Sequence, residues 1–141
     1  MIRLMTIEDY DTVYALWASL PGIGLHGRAD SREGMDYYLR RNPASCFVAE
    51  EGGMIVGAVL CGNDGRRGYI NHLAVARAYQ GQGIAKALLN ASLAAMRREG
   101  IPMCSFVVFR DNEAGNAFWD AIGSTRHENL LYRKLGTGEI L

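Results

Sequence analysis

The sequence predicts an α+β domain: a twisted, mixed and mainly antiparallel sheet of about six or seven strands, flanked by about four helices. Short apolar runs rich in β-formers are interleaved with amphipathic helical patterns. Two of those runs, residues 46–49 and 54–60, are joined by Glu50-Glu51-Gly52-Gly53, a hairpin signal. The longest helical pattern, residues 83–98, follows a strand through a glycine-rich loop. Of 141 residues, 49% are apolar and 21% charged, enough core-forming material for a single domain and too little polarity for wholesale disorder.

Residues 2–5 open the chain as a short strand. Thr6-Ile7-Glu8-Asp9 has the form of a capping box, with Asp at its fourth position. Behind it Tyr10, Val13, Tyr14 and Trp17 mark one face of a helix that Pro21-Gly22 ends. Residues 22–27 form a glycine-rich loop that carries two apolar side chains, Ile23 and Leu25. Asp30-Ser31-Arg32-Glu33 is a second capping pattern, opening a helix that turns Met35, Tyr38 and Leu39 inward and stops before Pro43. Asn63-Asp64-Gly65 makes a turn, and residues 69–75 form the next strand. On the long helix Ala85, Leu88, Leu89, Ser92, Leu93 and Met96 line up as the buried stripe, and Gly100 closes it. Residues 101–109 are almost continuously apolar, as in a central strand covered on both faces. Asp111 or Asn112 caps a helix running to Ile122, and residues 129–135 read as a last strand.

Fifteen basic and fifteen acidic residues cancel, so no global field attracts nucleic acid or an anionic membrane, and neither is expected as a partner. Cys46, Cys61 and Cys104 are an odd count with no Cys-x-x-Cys pair. They lie in or beside apolar runs, which predicts buried, reduced thiols and no metal site. No apolar stretch reaches about 18 residues and the first residues resemble no leader, so a cytoplasmic setting is expected.

Residues 75–89 carry the chemistry. A strand ends at Val75, and Gln80-Gly81-Gln82-Gly83 runs straight into the long helix. N–H groups at a helix start lack intrahelical partners, and the helix dipole adds positive charge there. Glycines clear space and permit positive-φ turns. The result is an anion site suited to a pyrophosphate. A P-loop needs Gly-Lys-Ser/Thr, which does not occur, and a dinucleotide fingerprint needs a third glycine where Lys86 stands.

Gln80-x-x-Gly83-x-Ala85, preceded five residues earlier by the strand-ending Val75, resembles the acetyl-CoA signature of the GNAT family of N-acetyltransferases. Asn112-Glu113-Ala114-Gly115-Asn116-Ala117-Phe118-Trp119, followed by Gly123, resembles that family's second CoA-contacting region. The resemblance implies acetyl-CoA as co-substrate and direct transfer of its acetyl group to a primary amine of a small molecule or peptide. Main-chain groups of Leu73, Ala74 and Val75 would pair with the pantetheine arm, the Val75 N–H polarising the thioester carbonyl. Amides of Gln80, Gly81, Gln82, Gly83, Ile84 and Ala85 would hold the pyrophosphate. Asn112 would hydrogen-bond the cofactor, Phe118 and Trp119 would pack near its arm, and Arg77 and Lys86 would meet the 3′-phosphate.

Three positions depart from the family pattern. Tyr69 and Asn71 stand where relatives commonly place a carboxylate base, and Trp119 where many carry an acidic tyrosine. The catalytic candidates are therefore Asn71 as an organiser of water, His72 as a group that titrates near neutrality, and Tyr132 as a substitute acid. Period-two alternation puts His72 on the face opposite Tyr69, Asn71, Leu73 and Val75. The substrate pocket is expected around Ile23, Leu25, His26 and Tyr38, with Asp30 as a candidate for recognising an ammonium. An exposed final strand edge predicts a homodimer. The same three substitutions support an alternative, an acyl-CoA-binding sensor or partner subunit with little or no catalysis.

Overall fold

The predicted hairpin forms between β2 (Phe47–Glu51) and β3 (Met54–Asn63), which pair antiparallel with Glu51 opposite Met54. The structure is a computed structural model and describes residues 1–138. From that hairpin the sheet grows in the order β1-β2-β3-β4-β5, where β1 is Ile2–Leu4, β4 Gly68–Val75 and β5 Cys104–Ser105. β1 runs antiparallel to β2 and β4 antiparallel to β3, whereas β5 pairs parallel with β4. The β3–β4 turn is closed by Asp64 Oδ1, which accepts from the Arg66 and Arg67 N–H groups at 2.8 Å. Five strands are formed among the described residues, fewer than the sequence predicts, within the expected mainly antiparallel α+β architecture.

Helices α1 (Tyr10–Ala18) and α2 (Arg32–Arg41) cover one face of the sheet. Val13, Leu16 and Trp17 from α1 and Met35 and Leu39 from α2 pack there on Val48, Ala58, Leu60 and Ala74. The buried face of α1 includes Leu16 and leaves Tyr14 half exposed, a rotation of the expected stripe. α3 (Ile84–Arg98) covers the opposite face, burying Leu88, Leu89, Ser92, Ala95 and Met96, and its Ile84 and Leu88 lie against Gly57 of β3. Each large apolar side chain buried in these two layers contributes about 1.5–3 kcal/mol.

Both capping patterns form, one of them shifted. Asp9 Oδ2 accepts from the Thr6 N–H at 2.9 Å, as predicted. At α2 the capping residue is Ser31, whose Oγ accepts from the Gly34 N–H at 3.1 Å, so Asp30 is released to turn inward. Asp9 also receives Arg3 Nη1 and Nη2 at 2.9 and 2.8 Å, while Arg3 Nε donates to Glu50 Oε1 at 2.7 Å. One guanidinium thereby ties β1, the first cap and β2 together. The hydrogen bonds from Arg3 hold the Asp9 carboxyl below its ordinary 3.8, against the opposing effect of burial. A depressed folded-state value stabilises the fold above the unfolded pKa, and that contribution disappears as pH falls through the folded value. Urea midpoints are therefore expected to fall on the acid side of about pH 4. Arg3→Met is expected to cost about 1–3 kcal/mol at neutral pH and to flatten that acid-side loss.

Two predicted strands are corrected. Within residues 101–109 only Cys104 and Ser105 pair, and Met103, Val107 and Phe109 are exposed. The run is not a central strand covered on both sides, because β5 has a strand neighbour only in β4 among the described residues. Residues 129–135 contain no strand. The contacts divide the chain into two units, Met1–Val107 and Val108–Leu141. The second holds α4 (Glu113–Ala121), capped by Asn112 Oδ1 accepting from the Gly115 N–H at 2.9 Å. Beyond α4, Arg126 pairs with Asp120 at 2.7 Å, and Leu130, Leu131, Tyr132 and Leu135 are exposed. No helix among the described residues is long and apolar enough to cross a membrane.

Candidate active site

Ala58 pairs with Ala74, but Leu60 pairs with Asn71, so β4 sets both His72 and Leu73 against Val59. This β-bulge adds a residue and exchanges the faces of the strand on either side of it. Asn71 therefore shares the α1–α2 face with Leu60, while Val75, opposite Gly57, lies on the α3 face. The predicted grouping of Tyr69, Asn71, Leu73 and Val75 on one face does not survive the bulge. Nor does His72 point away from Asn71, since its contacts are with α1 and with the chain entering α2.

His72 sits at φ 50°, left-handed and rare for a side-chain-bearing residue. That conformation costs about 1–2 kcal/mol, and the surroundings hold it. The buried Trp17 donates its Nε1–H to the His72 carbonyl at 3.0 Å, and the two rings pack with centroids 4.8 Å apart. His72 Nε2 lies 2.8 Å from Asp30 Oδ1. Asp30 is buried, its Oδ2 accepts from the His26 N–H at 2.6 Å, and its carbonyl accepts from the Tyr10 hydroxyl at 2.7 Å. Burial by itself would raise the Asp30 carboxyl, but the bonds from His72 and His26 outweigh it and hold the group below its ordinary 3.8. An ionised carboxylate only accepts, so Nε2 is the donor, and in the neutral imidazole Nδ1 carries the free lone pair. Nδ1 has no partner among the described residues, where no buried side-chain N or O atom is left unbonded, so it is accessible.

The glycine loop lies at the other end of β4. Gly81 and Gly83 have φ of 77° and 83°, and a Cβ on either would face open space. None of the N–H groups of residues 81–86 meets an acceptor among the described residues. The Gln80 N–H is already taken by the Arg77 carbonyl at 3.3 Å, so the open run begins at Gly81 and extends through Gln82, Gly83, Ile84 and Ala85 to Lys86. Gln80 instead anchors the loop, its Nε2 donating to the Val75 carbonyl at 2.9 Å. Convergent unbonded amides at the start of a long helix fit a diphosphate. β5 leaves β4 after Tyr69↔Ser105, so the edge of β4 over residues 70–75, including Leu73, Ala74 and Val75, has no strand on that side among the described residues. Such an edge fits an extended arm carrying amide groups.

A cleft of about 570 Å³ opens between α2, the β3–β4 turn and β5, lined by Tyr38, Arg41, Arg67, Tyr69 and Asn71 among others. Its floor explains Gly62, where a Cβ would come within 2.7 Å of the Tyr38 hydroxyl and of Asn42 Oδ1. Burial pushes the Tyr38 hydroxyl up, opposed by its bond to Asn71, and it stays protonated. Of the expected pocket residues, Tyr38 lines this cleft. Ile23 and Leu25 pack against the α1–α2 core, and His26 is exposed while its N–H holds Asp30. Asp30 is committed to His72 and is not an open ammonium site.

Asn112, Phe118, Trp119 and Tyr132 belong to the second unit. Asn112 Oδ1 is engaged by its own helix cap, Phe118 and Trp119 pack edge to face at 5.1 Å, and Tyr132 is exposed in irregular chain rather than on a strand. The parts that sequence reasoning missed are Trp17 and Asp30 as supports of His72. They lie 55 and 42 positions from it, and no local pattern marks either contact.

Residues 10–123 match the Acetyltransferase (GNAT) family. The chain is 36% identical over 99 residues to N-alpha-acetyltransferase 30 of Schizosaccharomyces pombe, a match covering 67% of this chain and 66% of that protein, just under two thirds of its length. It is 33% identical over 113 residues, 80% of this chain and 79% of the relative, to an acetyltransferase of Pectobacterium atrosepticum. Its fold matches the PaiA N-acetyltransferase of Thermoplasma acidophilum, solved in complex with coenzyme A, with a TM-score of 0.72 at 19% identity over 87% of each chain. By that family match and these relatives the chain belongs to the GNAT family and is an acetyl-CoA-dependent N-acetyltransferase.

Proposed function

We propose that the chain transfers the acetyl group to a primary amine of a small molecule or peptide by direct attack, with His72 accepting the amine's proton and Asp30 positioning His72. The observation that carries this reading is the accessible Nδ1 of a histidine whose other nitrogen is bonded to a buried carboxylate. An alkyl amine of pKa near ~10.4 is less than about 0.1% neutral at pH 7, so a proton acceptor beside it raises the reactive fraction. Bound acetyl-CoA supplies an electrophilic thioester carbonyl and a thiolate leaving group. The loop of residues 81–86 would hold its diphosphate, and the open edge of β4 its pantetheine arm. Asn71, bonded to Tyr38, would order water at the floor of the cleft. Thiols ionise near ~8.5, so the departing thiolate takes its proton from solvent and needs no tyrosine at Trp119. Exposed Leu130, Leu131 and Leu135 support association with a second copy of the chain.

The test is free-thiol release from acetyl-CoA against amino acids, polyamines, aminoglycosides and peptides with free N-termini. At least one acceptor class is expected to raise release well above the rate of hydrolysis. Tight CoA binding with no acceptor raising that rate would make the chain a CoA-binding sensor instead.

A further inference from the structure

The cleft beside Asn71 also constrains the acceptor, if acetyl transfer is its task. At about 570 Å³ it has the size of a small-ligand site. Its lining includes Arg41 and Arg67, and neither makes an ion pair among the described residues. The acid in the lining is Asp64, whose Oδ1 holds the Arg66 and Arg67 N–H groups of the β3–β4 turn. Positive charge therefore outweighs negative across the opening. Asp30, the nearby buried carboxylate, is bonded to His72 and to the His26 N–H. Asp64 and the tyrosine faces offer an ammonium less than Arg41 and Arg67 offer an anion, so affinity is expected to come from other parts of the acceptor. Tyr38 and Tyr69 provide an aromatic wall, and a guanidinium pairs best with a planar anion that can take two hydrogen bonds.

We infer that this cleft selects an amine bearing a carboxylate on an apolar or aromatic body, through Arg41 and Arg67. The carboxylate belongs either to a small amino acid or to an acidic side chain near a peptide's N-terminus. Polycationic acceptors such as polyamines are disfavoured by the same two arginines.

The experiment is calorimetry on the CoA-saturated protein with acetylated ligands, which needs no turnover. One arm compares N-acetyl-L-phenylalanine with N-acetylphenethylamine, which lacks the carboxylate. The other compares two N-acetylated, C-terminally amidated tetrapeptides that differ only in Asp or Asn at their second position. The charged member of at least one pair is expected to bind about tenfold tighter, with that preference shrinking at high salt. Arg41→Gln or Arg67→Gln should erase the preference while leaving the neutral ligand's affinity and the thermal midpoint unchanged. The arm that shows the preference identifies the source of the carboxylate. Equal or tighter binding of the neutral member in both arms overturns the inference, as does a preference that survives both substitutions. Absence of amine-dependent thiol release alongside the expected binding counts against acetyl transfer alone.

Discussion

Gly83→Glu is expected to remove the thermal stabilisation that acetyl-CoA gives the wild-type protein. At about 100 times its Kd a ligand adds about 2.7 kcal/mol to the folded state. For a chain of this size that corresponds to roughly 10 °C in the midpoint. The glutamate acts twice: its carboxylate stands before the unbonded N–H groups of residues 81–86, and its Cβ must adopt φ 83°. The backbone part alone costs about 1–2 kcal/mol, and Gly83→Ala isolates it. The alanine variant should melt lower without ligand yet still respond to acetyl-CoA, though more weakly. The glutamate variant should melt in the same range and not respond. A full response from folded Gly83→Glu would remove the loop from the cofactor site.

The second large effect is expected at His72. His72→Gln keeps a hydrogen-bond donor within reach of Asp30 but has no basic nitrogen, and its transfer rate should fall by about 10²–10³-fold. The loss should appear in kcat, with KM for acetyl-CoA retained. The Asp30 carboxyl is held below its ordinary value by His72 and His26, so it stays ionised at neutral pH. Its share of stability is lost only as pH falls through that depressed value, well below neutral pH. Asp30→Asn separates positioning from chemistry. It should lower kcat about tenfold with KM for acetyl-CoA retained, because the amide no longer enforces the tautomer that frees Nδ1. Wild-type turnover from a folded His72→Gln protein would show that water or the acceptor itself handles the proton.

Sequence determined those features whose cause lies within a few residues. Thr6 to Asp9 form their cap, Gly52-Gly53 closes its hairpin, and the α3 stripe is buried along the predicted face apart from half-exposed Ala85 and Leu93. The open loop was legible for the same reason, since positive φ at Gly81 and Gly83 and the orphan amides of a helix start are local properties. Even the displaced cap belongs to this class, because Asp30 and Ser31 compete for one role over a single step of chain.

Tertiary structure decided the rest. Period-two alternation assumes an uninterrupted ladder, and nothing in Asn71-His72-Leu73 signals that β4 takes up an extra residue against Val59. A left-handed histidine is unfavourable by itself and forms because Trp17 and Asp30, distant in sequence, clamp its carbonyl and its ring. Residues 101–109 and 129–135 have the apolar content of strands, but a strand exists only where a neighbour supplies hydrogen bonds, and composition does not specify that neighbour. Local bonding could therefore be read from the sequence, whereas the faces of β4, the orientation of His72 and the lining of the cleft beside Asn71 depend on which distant segments meet.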